Sequence, residues 1–177
     1  TKKNRMSKEM PSQKTTDLAA HASQEGLIDT ILRPSAERFN LFPIIYETCD
    51  YYEMIGNMSY HGMPSHYNHW SFGKSFERTH FNYNLGQAGL PYEMIINSNP
   101  SIAYLMLQNP LYLQILIMAH CVGHSDFFKN NRCFKNTDPD HVVSRMRNAK
   151  KRIQSYIEDP LIGQEKVESF LDNLHAI

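Results

Sequence analysis

Apolar and polar positions follow helical spacing over much of the chain beyond residue 25. The spacing predicts helices over about 74–86, 110–128, 141–159 and 165–174. Proline follows asparagine or aspartate at positions 100, 110 and 139, a pairing that combines a side-chain cap with a suitable first helical residue. These pairs predict a short helix over 100–108 and clean starts for the two longer helices after it.

Two other segments complete the predicted fold. The run PSAERFNLFPIIYETCDYYEMIG, residues 34–56, predicts two helical pieces broken near Pro43, whereas YEMIIN, residues 92–97, has the β-branched character of a strand. We therefore expect a predominantly helical α+β fold, a single domain over residues 26–177, with one or two short strands and a central helix that carries two histidines. Residues 1–25 are polar with little periodicity and are predicted to form a flexible N-terminal arm.

Composition excludes several classes of partner. The 18 lysines and arginines balance 18 aspartates and glutamates, so no net field draws the chain to nucleic acid, and no phosphate-binding glycine loop occurs. Three widely spaced cysteines argue against a disulfide framework or a cysteine zinc cage and favour a cytoplasmic setting. No secretory leader is expected. The charge-free stretch 94–125 is interrupted by asparagine, glutamine and proline, so no membrane span is predicted.

The segment MAHCVGHSDFFKNN, residues 118–131, carries the most informative chemistry. At 100° per residue His124 lies about 40° from His120, so both share one helix face. That face continues an apolar stripe made by Leu113, Leu116, Ile117 and Phe127. We therefore expect both imidazoles to face the core. Two neutral imidazoles one turn apart can bind one divalent metal ion, or each can hydrogen-bond a backbone carbonyl or carboxylate instead.

A metal site here needs a third ligand and, for hydrolysis, a base. Zinc peptidases of the HExxH type carry a glutamate base after the first histidine, but this chain has Cys121 there. Glu93, in the predicted strand, could be the base, the third metal ligand, or the partner of a lysine or arginine. His69, beside the only tryptophan, Trp70, is a further candidate ligand or binding residue. A carboxylate further along the chain could also be a metal ligand, and the candidates are Glu158, Glu165 and Glu168. A solvent-exposed helix face is the simpler explanation for these three residues.

Three blocks of sequence resemble the stage V sporulation protein R (SpoVR) family. They are GMPSHYNHWSFGKSFER, residues 62–78, YEMIINSNPSIAYLM, residues 92–106, and MAHCVGHSDFFKNN. The resemblance implies an association with spore cortex formation, and with a PrkA-type serine protein kinase and a von Willebrand-like protein as partners. The resemblance also implies a set of functional motif residues, which includes His69, Trp70, Glu93, His120, His124, Asp126, Asn130 and Asn131.

Two functions therefore remain open from the sequence. One is a metal-dependent amide or peptide hydrolase in which His120, His124 and Glu93 hold zinc, with Glu93 as the catalytic residue. The other is a non-enzymatic adaptor that binds the kinase and the von Willebrand-like protein. In the adaptor the binding surface is formed by His69, Trp70, Asp126, Asn130 and Asn131, and the histidine pair organises a buried polar network.

Overall fold

A three-stranded mixed sheet lies at the centre of the computed structural model, which describes residues 26, 28–87 and 89–177. The strands are β1 (Ile44–Cys49), β2 (Glu93–Ile96) and β3 (Ser101–Met106), in the order β1-β3-β2. β1 runs parallel to β3 and β2 antiparallel to it. The flexible arm predicted for residues 1–25 lies outside the described residues.

The described part of the chain forms six α-helices. They are α1 (Arg33–Arg38, after a π-helical turn at Ile28–Leu32), α2 (Tyr51–Ser59), α3 (Trp70–Asn84), α4 (Leu111–Asn130), α5 (Val142–Glu158) and α6 (Gly163–His175). A 3₁₀ turn at Arg132–Phe134 follows α4. The predicted fold class, a predominantly helical α+β domain, is confirmed, and so is the strand within residues 92–97. No helix among these residues is long and apolar enough to cross a membrane.

Two predicted helices are strands, which is the main correction to the fold. Residues 101–106 were expected to be helical but form β3, the central strand, in which buried Ser101, Ala103 and Leu105 alternate with less buried neighbours. The second piece of the 34–56 run begins as β1, and α2 starts only after Asp50. Pairing along both edges of β3 outweighs the helix-start signal of an Asn-Pro pair, because strand formation depends on neighbouring strands.

Helix α4 packs on the sheet with a face that only partly matches the predicted one, since Ile117 of the predicted stripe is buried and Leu113 packs against the core. Its buried residues are Gln114, Ile117, Met118, Cys121 and Ser125, and three of these join the hydrophobic core with Ala103 and Leu105 of β3. The expectation that the two histidines face the core is therefore wrong. Leu116 and Phe127, which share their stripe, are 64 % and 57 % exposed. Because α4 has apolar residues on two sides, hydropathy alone did not distinguish the sheet-facing side.

Polar groups on the buried side of α4 are satisfied by the strands and their connections. Gln114 Nε2 donates to the Met106 carbonyl at 3.2 Å, and Ser125 Oγ donates to the Phe42 carbonyl at 2.8 Å. Tyr46 of β1 donates its hydroxyl to the Met118 carbonyl at 3.0 Å. Since an unpaired buried polar group costs about 1–3 kcal/mol, these bonds fix the rotation of α4 about its axis. They thereby place His120 and His124 at the rim of the sheet rather than beneath it.

Candidate metal centre

His120 and His124 face each other across one turn of α4. Their Nε2 atoms are 3.0 Å apart, and their ring planes are nearly perpendicular, at 86°. In this arrangement one ring donates its N–H to the lone pair of the other, and which ring donates depends on the tautomer. In the part of the chain that the structure describes, neither Nε2 bonds a backbone carbonyl, and their 3.0 Å separation directs both nitrogens at the same small volume.

Glu93 joins this pair from the sheet. It is the first residue of β2 and pairs with Leu105, whose side chain belongs to the core beneath α4. Directly opposed residues in a sheet share a face, so the Glu93 side chain also lies on the α4 side. Its Oε1 is 3.6 Å from His120 Nε2, and one donor atom of each of the three residues lies within 4.8 Å of the other two.

The three side chains are open to solvent on one side. The His120 side chain is 61 % exposed and that of Glu93 is 19 % exposed. Partial burial lowers the pKa of His124, the nearby His120 lowers it further, and Glu93 opposes the shift. The imidazole of His124 is therefore held neutral, and a neutral imidazole is the form that binds a metal ion.

Two imidazoles and one carboxylate form a donor set that fits a divalent transition metal. Catalytic zinc sites commonly use three protein ligands and keep a further position open, and non-haem iron sites can use the same residue types. The exposed side of His120 leaves room for such a position. Within the described residues this is the one group of three histidine, cysteine or acidic side chains that converges in this way.

Cys121 is excluded from this chemistry by its position. Its side chain is fully buried between α4 and the sheet. Burial raises the pKa of the thiol to about 12, and the negative charge of Glu93 adds to the rise. A protonated, inaccessible thiol is neither a metal ligand nor a nucleophile.

The three residues of this candidate centre lie within a region of the chain that matches a known protein family. The family model described as "SpoVR like protein" matches residues 23–177, nearly the whole chain. The chain belongs to the SpoVR-like family. Its residues are 44 % identical over 142 positions to the uncharacterized protein YcgB of Escherichia coli (strain K12). That match covers 79 % of this chain and 28 % of YcgB, so the chain spans little more than a quarter of that relative. No solved structure matches this SpoVR-like chain.

His69 lies in a separate cluster and not at the converging group. It is the N-cap of α3, where its Nδ1 accepts from the Ser71 N–H at 3.3 Å and lies 2.7 Å from Ser71 Oγ. Its Nε2 is 3.3 Å from Asp172 Oδ1 of α6, although the direction is poor for a hydrogen bond. Trp70 Nε1 donates to the same carboxylate oxygen at 2.7 Å.

The C-terminal helix completes this second cluster, which we call the α6 latch. The latch consists of His69, Trp70, Asp172, His175 and Tyr67. The Tyr67 hydroxyl and His175 Nε2 are 2.8 Å apart, and the His175 ring lies 4.6 Å from the ring of His69. Sequence reasoning missed Asp172 and His175, because their partners lie about a hundred residues earlier and no local pattern links them.

The remaining predicted binding residues bond within their own segment. Asn130 Nδ2 donates to Asp126 Oδ1 at 2.7 Å, and Asn131 Oδ1 accepts from the Cys133 N–H at 2.8 Å to cap the 3₁₀ turn. Glu158 and Glu168 each accept from a glutamine four residues earlier on their own helices. Glu165 lies exposed in the first turn of α6.

Proposed function

We propose that this SpoVR-like domain binds a divalent metal ion through Glu93, His120 and His124 and hydrolyses an amide or peptide bond at that ion. The convergence of two histidine nitrogens and one carboxylate at an open surface supports the proposal. Zinc is the ion we favour. Bound there, it would polarise a substrate carbonyl and lower the pKa of a water molecule.

Glu93 is better suited to be a ligand than a base. If Glu93 served as a base alone, two protein ligands would remain, one fewer than catalytic zinc sites usually have. Its Oε1 is also close enough to His120 Nε2 for both atoms to reach one ion after small side-chain rotations. We therefore assign Glu93 first as the third ligand, and its second carboxylate oxygen is available to accept a proton.

Elemental analysis of untagged protein, with variants at each position, tests this proposal. We expect about one metal ion per chain, its loss in His120→Ala and His124→Ala, and its retention in His141→Ala, which removes an exposed histidine just before α5. Glu93→Gln separates the two roles: loss of metal identifies a ligand, whereas retained metal with lost cleavage of a fluorogenic peptide library identifies a base. A metal-free protein would contradict the proposal.

A second candidate function is an adaptor for a PrkA-type serine kinase and a von Willebrand-like protein. It is favoured by the exposure of Trp70, at 56 %, and of Phe127, at 57 %, both within sequence blocks that match the family. His69 is buried and would support this surface rather than contact a partner. Asp126, Asn130 and Asn131 would supply its polar contacts. A pull-down with Phe127→Ala tests the adaptor, because that change leaves the metal ligands intact.

The cellular setting that we propose is the cytoplasm. Cys49, Cys121 and Cys133 are all free thiols in the structure, which suits a reducing cytoplasm. A role in spore cortex formation or in a stress response follows from the family resemblance. For a cytoplasmic hydrolase, the substrates would be cell-wall peptide precursors or proteins.

A further inference from the structure

An open cavity lies on the other face of the sheet from the candidate metal centre. It has a volume of about 540 Å³ and is lined by residues of β1, β3, helix α2 and the middle of α3. Tyr46 of β1 bonds to α4, so the next residue, Glu47, points to the opposite face, where the cavity lies. A volume of this size suits a small-molecule ligand.

The walls of this cavity combine aromatic rings with negative charge. They contain four aromatic rings, two carboxylates and no lysine, arginine or histidine. The rings belong to Tyr52, Tyr60, Phe76 and Tyr104, and the carboxylates to Glu47 and Glu53. Gly56 lines the same space, and a Cβ there would have only the Tyr60 ring nearby, at 3.9 Å.

Both carboxylates are exposed to solvent, and no cationic side chain lines the cavity beside them. Within the described residues Glu47 has no hydrogen-bond or ion-pair partner, and Glu53 accepts only from the Asp50 backbone N–H, at 2.8 Å. The negative charges contribute to raised pKa values of two neighbouring side chains, Tyr104 and Cys49. Burial raises the pKa of Tyr104, and Glu47 raises it further. Burial likewise raises that of Cys49 to about 11, with Glu53 and Asp50 adding to the shift.

We propose that this cavity binds a small organic cation, an alkylammonium compound whose charge faces Glu47 and Glu53 and whose alkyl groups contact the aromatic rings. Faces of tyrosine and phenylalanine attract a cation electrostatically and at the same time cover its apolar carbons. A bare metal ion would be a poorer occupant. Glu47 and Glu53 do not converge with a third acidic, histidine or cysteine donor in the described residues, and the aromatic rings supply no strong metal ligand.

Calorimetric titration of the whole chain with matched probes tests this inference. The cations are tetramethylammonium, choline and the diamine putrescine. The neutral control is 3,3-dimethylbutan-1-ol, in which a tert-butyl group replaces the trimethylammonium of choline. We expect saturable binding of at least one cation and binding of the neutral alcohol weaker than that of choline by about tenfold. If no cation binds, or if the alcohol binds as well as choline, the inference is overturned.

Variants locate the binding in this cavity. Glu47→Gln should weaken cation binding about tenfold, whereas Glu77→Gln, on the exposed side of α3, should leave it unchanged. Tyr52 is 59 % exposed, so Tyr52→Leu leaves the core intact, and it should weaken binding while Tyr52→Phe retains it. Equal effects of the two glutamate substitutions would overturn the inference. Metal content should be unchanged in all four variants, so the result does not depend on the proposed metal centre.

Discussion

The candidate metal centre and the α6 latch each combine histidine with a carboxylate, and they have opposite surroundings. In the metal centre, Glu93, His120 and His124 converge on a common point, and the His120 side chain is 61 % exposed. In the α6 latch, His69 is fully buried at the start of α3, with Ser71 against one ring nitrogen and Asp172 3.3 Å from the other. Both clusters lie within residues 23–177, the part of the chain that matches the family. Residue type alone therefore does not distinguish them.

What separates the two clusters is whether the ring nitrogens are enclosed by the fold or open to solvent. His69 uses Nδ1 as a helix cap and places Nε2 against a carboxylate that also accepts from Trp70. Among the described residues, the ring nitrogens of the α4 histidines contact each other and Glu93 at an exposed surface. A histidine enclosed by the fold supports it, whereas nitrogens that share one open volume are available to a ligand. The predictions below test this division, from the largest expected effect to the smallest.

Removing His69 should cost the most stability. His69→Ala deletes a helix cap and leaves a cavity under α6, so we expect the free energy of unfolding to fall by about 2–4 kcal/mol. Urea denaturation measures this loss. Metal content per folded chain should stay the same. A variant that unfolds at the same urea concentration as the parent, but has lost metal, would show that His69 belongs to the metal centre.

Removing His124 should abolish metal binding and leave the stability of the metal-free protein nearly unchanged. With metal present at about a hundred times its dissociation constant, binding stabilises the parent by about 2.7 kcal/mol, and His124→Ala should lose that gain. In chelator the two proteins should unfold at nearly equal temperatures, because the His124 side chain is only half-buried. Thermal melts with and without zinc measure both quantities. His141→Ala is the control and should keep the zinc-dependent shift; a zinc shift that persists in His124→Ala would contradict the ligand role.

Trp70 provides a smaller test of the latch. Trp70→Phe keeps an aromatic ring but removes the indole N–H that bonds Asp172 at 2.7 Å. We expect a loss of about 1 kcal/mol in urea denaturation, since this side chain is more than half exposed. Asp172→Asn should have an effect at least as large, because it alters the partner of both Trp70 and His69. If neither change reduces stability, the contacts of Asp172 do not hold α6 in place.

The sequence predicted the long helices, and the grouping of Glu93 with His120 and His124, better than it predicted how the helices are oriented. Periodicity located α3 to α6 because each has a clear apolar stripe or a proline-marked start. It failed at β1 and β3, whose strand character depends on pairing that no local pattern reveals. Glu93 could be proposed as a partner of the histidine helix from its place in an apolar strand. The contact of Asp172 with Trp70 and His69 could not be predicted. The sequence pattern of a helix does not show which of its polar residues will contact another element.

The smallest expected effect is the pH dependence of the metal centre. Burial and His120 lower the pKa of His124 in the folded state, whereas the unfolded chain has the ordinary value of about 6.5. As pH falls through that value, the unfolded state takes up a proton more readily than the folded state, so the free energy of unfolding decreases. The same protonation removes a ligand, and zinc should be released in the same direction. Denaturation in chelator at a series of pH values should therefore show a shallower acid loss in His124→Ala than in the parent. An equal loss in both proteins would mean that the surroundings of His124 do not lower its pKa, and the contrast with the buried His69 would then not extend to protonation.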